Sequence, residues 1–98
     1  MFDCTFSGDI LIWRGPAPYL FVAVPDEAGR TIRACAAQLS YGWGVVPCIV
    51  TLGATEWRTS LMPKDGRYLV PIRVSVQRAE LVGPGMTVTL RLRAVGSD

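Results

Sequence analysis

The residues best able to do chemistry in this 98-residue chain stand in two short stretches. Trp57-Arg58-Thr59-Ser60 sets an indole, a guanidinium and two hydroxyls side by side. Trp43 lies between Gly42 and Gly44, where bare backbone can approach a neighbour and present the indole. Aromatic walls with a few convergent polar groups are what small-ligand pockets use. Trp43, Trp57, Arg58, Thr59 and Ser60 therefore form the candidate ligand-binding set. A plainer arrangement fits them too, with the indoles plugging the ends of a small barrel. The second set is basic: nine of the ten cationic residues are arginine, Lys64 being the exception. Guanidinium groups suit bidentate contact with phosphate or carboxylate. Arg91 and Arg93 share a face with Thr87 and Thr89, a geometry suited to a nucleic-acid backbone. That face also fits a solvated sheet surface with cross-strand carboxylates, and the arginine excess fits GC-rich codon usage.

Catalysis has thin support. The chain has no histidine, which removes the commonest general base and every Ser-His or Cys-His dyad. Ser60 and Lys64 are four apart where a Ser-x-x-Lys dyad needs three, and Pro63 between them forbids a continuous helix. Cys4, Cys35 and Cys48 are odd in number and contain no C-x-x-C pair, so they predict buried thiols rather than a disulfide framework or a zinc site. Asp26 and Glu27 are explained by a helix start, and Glu56 and Glu80 by surface pairing, Glu80 with Arg78. Gly83-Pro84-Gly85 lacks the lysine and helix of a phosphate loop. A binding protein without catalytic residues, metal or cofactor is the expectation.

These residues need a frame to hold them. Half of the chain is apolar and 18% is charged, with a formal net charge of +2, a composition that excludes a disordered tail. The length suits one domain over residues 1–98. No window holds eighteen uninterrupted apolar residues and no basic segment leads into an apolar run. A cytoplasmic chain without a membrane span is expected.

Phe2, Cys4 and Phe6 alternate with Asp3, Thr5 and Ser7, predicting a strand that runs to Trp13 with a bulge or bend at Gly8. Tyr19 to Val24 is a continuous apolar run, predicting a strand buried on both faces. Ile32, Cys35, Ala36 and Leu39 recur at helical spacing and predict a helix over about Glu27 to Leu39. Strands follow over Val45–Leu52, Trp57–Met62 and Tyr68–Ile72. Pro47 predicts an edge or bulge, and Pro63-Lys64-Asp65-Gly66 a turn. Val74 to Leu81 is either strand or a helical turn. Met86, Val88, Leu90 and Leu92 alternate cleanly with polar residues, predicting a last strand with one core face. The sum is mainly β: a small split β-barrel of about six short strands, one helix over about 27–39 and a short helical turn over about 75–81. Two stretches, 19–52 and 68–93, share an order of strand, proline, helical segment, glycine and strand, consistent with two pseudo-repeated halves around one core.

Gly42-Trp43-Gly44-Val45-Val46-Pro47, Trp57-Arg58-Thr59-Ser60-Leu61-Met62-Pro63, Tyr68-Leu69-Val70-Pro71-Ile72-Arg73, Val76-Gln77-Arg78-Ala79 and Gly85-Met86-Thr87-Val88 resemble, in order, blocks of the domain of unknown function 1905 family. That family occurs alone or beside bacteriocin-protection, YdeI/OmpD-associated segments. The resemblance implies a small split β-barrel from a bacterial family and supplies no catalytic residues. The chain departs from the pattern at Arg73, where the family often has lysine, and at Met86, where it often has an acid. The stretch from Gly66 to Leu92 is also similar to the swapped-hairpin domain of AbrB/MazE-type regulators, which bind DNA as dimers. That similarity implies Arg73, Arg78, Arg91 and Arg93 as nucleic-acid contacts. The leading expectation is a non-enzymatic module, monomer or homodimer, that engages a small ligand or a protein partner. The alternative is a DNA-binding regulator.

Overall fold

The computed structural model describes residues 2–39 and 45–95. Seven antiparallel strands curl into a half-barrel, with two short helices in the connections. The strands are β1 (Asp3–Asp9), β2 (Leu11–Trp13), β3 (Tyr19–Ala23), β4 (Val46–Leu52), β5 (Thr55–Lys64), β6 (Arg67–Ile72) and β7 (Thr87–Ala94); the helices are α1 (Asp26–Leu39) and α2 (Val74–Glu80). The spatial order is β1-β7-β4-β5-β6-β3-β2.

The strand expected to run unbroken to Trp13 is divided, and this accounts for seven strands rather than about six. The break falls at Ile10, not at Gly8, where the ladder with β7 continues. Ile10 is fully buried, donates its N–H to the Met86 carbonyl and accepts the Gly85 N–H, both at 2.8 Å. One side of it, β1 pairs with β7; on the other, β2 pairs with β3. The two ends of the sheet order thus belong to one bent segment. Gly8 has another role: a Cβ there would stand 2.8 Å from Val22 Cγ1, so its bareness lets β1 approach β3.

Burial follows the alternation. Val88, Leu90 and Leu92 are buried, as are Val46, Cys48, Val50 and Leu61 on the neighbouring strands. Each such side chain contributes roughly 1.5–3 kcal/mol on leaving water. Met86, expected on the same core face, lies outside the strand and is 45% exposed. The β3 run is not buried on both faces: Leu20 and Val22 are buried, while Tyr19 is exposed and Phe21 half-buried. Ile32 of α1 and Val76 of α2 seal the core. Pro47 sits in a central strand, contrary to the edge or bulge expected. It is tolerated because the β4–β7 ladder starts only at Cys48, so no partner on that side needs its N–H. The ambiguous segment after Ile72 is helical. Its C-cap, Leu81, adopts the left-handed conformation at φ 55°. Asp65 and Gly66, both at positive φ, make the two-residue β5–β6 hairpin turn.

The segments β3–α1–β4 and β6–α2–β7 share one order, and β3 pairs with β6 while β4 pairs with β7.

Candidate ligand-binding site

The β5–β6 ladder is short: Lys64, Pro63 and Met62 pair with Arg67, Tyr68 and Leu69, and pairing then stops. Two residues further along each strand the same register would set Ser60 opposite Pro71, which has no N–H to give to a rung. Two more would set Arg58 opposite Arg73. In place of a ladder bond, the Arg73 guanidinium donates to the Arg58 carbonyl oxygen at 2.9 Å. The strands therefore splay, and the gap is a surface concavity of about 480 Å³ lined by Arg58, Thr59, Ser60, Met62, Pro71 and Arg73, with Pro47 at its side.

Three residues of the sequence-derived ligand set, Arg58, Thr59 and Ser60, meet here. Trp57 does not join them. Strand alternation turns its indole inward, where it is 9% exposed within the core and does not line this concavity. Its indole nitrogen is buried without a hydrogen-bond partner among the described residues. Trp43 lies outside the described residues.

The four arginines grouped for nucleic acid also separate. Arg91 makes a bidentate pair with Asp3 at 3.0 and 2.7 Å. The facing guanidinium holds the Asp3 carboxyl below its usual range, and the Asp3 carboxylate in return raises the pKa of Arg91. Arg93 pairs with Glu56. Arg78 stands in the last turn of α2, where a cation opposes the helix dipole favourably. Arg73 belongs to the concavity. Among the described residues, neither Arg58 nor Arg73 has a carboxylate within ion-pair distance. Glu80 is not paired with Arg78, as expected from sequence, but accepts the Thr55 hydroxyl at 2.6 Å and ties α2 to the start of β5.

Arg73, grouped from sequence with the nucleic-acid set, and the prolines that shape the gap were the missed parts of this site. The available signal was proline inside two strand-like runs. A further arginine group is brought together only by the fold: Arg30, Arg33 and Arg67 line a smaller concavity of about 240 Å³. Two of the three are engaged there, Arg33 with the Gly66 carbonyl and the Tyr68 ring, Arg67 with Asp26 at 3.7 Å.

The thiols offer no nucleophile at the site. Burial pushes Cys48 up to about 12, with a smaller contribution from Cys4, and burial also raises Cys4. Among the described residues no group of three His, Cys, Asp or Glu could hold a metal ion, and no helix is long and apolar enough to cross a membrane.

Fold and site together define a small antiparallel half-barrel with helical connections and an arginine-lined gap between two of its strands. The chain belongs to the family described as Domain of unknown function (DUF1905), whose family model matches residues 6–92. No curated protein matches it.

Proposed function

We propose that this protein is a non-enzymatic binding module that takes a small anionic ligand in the gap between β5 and β6. The observation that carries the reading is a contrast among arginines. Among the described residues, Arg67, Arg91 and Arg93 have carboxylate partners, while Arg58 and Arg73 flank a concavity without one. A carboxylate or phosphate oxygen entering there would meet two guanidinium groups and the hydroxyl of Ser60, which shares the Arg58 face of β5. Charge-assisted hydrogen bonds of this kind are about twice as strong as neutral ones. Arg73 is already oriented by its bond to the Arg58 carbonyl, so less freedom is lost on binding. The DNA-binding alternative draws less support, because two of its four arginines are spent on Asp3 and Glu56.

The test is an NMR titration with acetate and with inorganic phosphate at low ionic strength, following the arginine Nε–H and Ser60 amide signals. Saturable shifts at Arg58, Arg73 and Ser60, absent from Arg58→Ala, are expected. Non-saturating shifts spread evenly over all arginines would overturn the reading.

A further inference from the structure

A second concavity adjoins the first, and the two share Arg73 and Pro71. It measures about 450 Å³, within the range of ordinary small-molecule sites. Its origin lies in the sheet register. Ile12 pairs with Leu20, and Leu20 with Ile72, so the three form one row across β2, β3 and β6. Leu20 and Ile72 are 7% and 3% exposed, but Ile12, on the edge strand, is 37% exposed. The core row thus runs out into the open at the end of the sheet. Val74, at the first position of α2, is 57% exposed and forms the facing wall, with Pro18 and Tyr19 at the rim. Gln77 is the one uncharged polar side chain there besides the Tyr19 hydroxyl, and its amide nitrogen is committed to the Ile72 carbonyl at 2.9 Å. An apolar trough therefore ends at an arginine with no carboxylate partner among the described residues.

Resting on the anion-binding reading above, we infer that the ligand is a small, free amphipathic carboxylic acid. Its carboxylate sits between Arg58 and Arg73, and its hydrocarbon part lies in the Ile12–Leu20–Val74 trough. Charge complementarity selects the head. The trough selects the tail, since hydrocarbon laid along it leaves water without stranding a polar group. Arg73 stands where head and tail join.

Decanoate and acetate serve as probes, titrated into the full chain below the concentration at which decanoate forms micelles and followed by NMR. Each methylene buried should tighten binding about fourfold, so decanoate should bind more than about tenfold tighter than acetate. It should also shift the Ile12 and Val74 methyl signals, which acetate should leave unmoved. The Ile12→Thr/Val74→Thr double variant, which keeps β-branched shape and adds no charge, should lose the decanoate advantage while acetate still shifts Arg58 and Arg73. Decanol should bind more weakly than decanoate. If acetate saturates at the arginines but decanoate binds no tighter, or the double variant changes nothing, the amphipathic assignment falls while the anion site stands. If neither anion moves Arg58 or Arg73, both fall. A hexapeptide with a C-terminal leucine binding tighter than decanoate would overturn the free acid in favour of a chain terminus.

Discussion

The Asp3–Arg91 pair shows how single residues on this sheet are decided by their cross-strand company. Asp3 lies on β1 and Arg91 on β7, one rung off the direct Thr5–Arg91 pairing, and the two close a bidentate contact at the surface. Because Asp3 is held below its ordinary pKa in the folded chain, its contribution to stability is present above the unfolded value of about 3.9. It is lost as pH falls through the lower folded value. Thermal melts of Asp3→Asn should therefore lie below wild type at pH 7, with the gap narrowing and then closing as pH falls below the unfolded value and through the lower folded one. A gap that is constant over that range would show that the carboxylate charge is not what matters. The pair is solvent-exposed, so the difference at pH 7 should be small and should shrink further with salt.

At the scale of elements, α2 is short and poorly endowed by its own sequence. Its N-cap, Arg73, makes no side-chain capping bond, and the helix spans seven residues. Tertiary ties hold it instead: Glu80 to Thr55, Arg73 to the Arg58 carbonyl, and Val76 in the core. Its C-terminus closes with Leu81 in the left-handed region, its N–H bonded to the Gln77 carbonyl. A non-glycine residue pays roughly 1–2 kcal/mol for that conformation, and the Leu81 side chain, 83% exposed, recovers almost nothing by packing. Leu81→Gly should stabilise the protein by about 0.5–1 kcal/mol once the added freedom of the unfolded chain is subtracted. A higher midpoint in urea at unchanged slope is the expected readout; a lower midpoint would mean that the leucine makes contacts that matter. Because Arg73 is the N-cap of α2 and Val74 its first residue, the candidate site depends on its seating.

At the scale of the whole molecule, the chain carries a formal net charge of +2, and its arginines are scattered among separate environments. Arg91 and Arg93 lie on the outer face of β7 opposite acids, Arg30, Arg33 and Arg67 gather near the start of α1, and Arg58 and Arg73 span the β5–β6 gap. Phosphate-driven binding needs several uncompensated cations on one surface. Fluorescence anisotropy with a labelled mixed-sequence duplex should therefore show no micromolar binding at about physiological salt. Micromolar binding that weakens steeply with added salt would return the DNA-binding alternative to first place.

Much of this architecture was legible in local sequence. Period-two alternation in β1 and β7, the helical spacing of Ile32, Cys35 and Ala36, and the Asp65-Gly66 turn are properties of neighbouring residues, and the ordered motifs from Gly42 to Val88 carried the family. The ligand set was legible only in part. Arg58, Thr59 and Ser60 meet in one gap, but alternation sends Trp57 to the core, and Arg73 comes from another strand end. What tertiary structure decided was which groups are left unpaired. Arg91 is neutralised by a residue 88 positions away and Arg93 by one 37 away, and nothing local distinguishes them from Arg58. Likewise, Pro71 reads locally as a blemish in a strand. Only when β5 arrives beside it does the missing N–H end a ladder and open the space between Arg58 and Arg73. Periodicity sets which face of a strand is apolar, because burial of that face drives folding. The pairing of distant strands sets where the sheet parts and which charges remain available to a ligand.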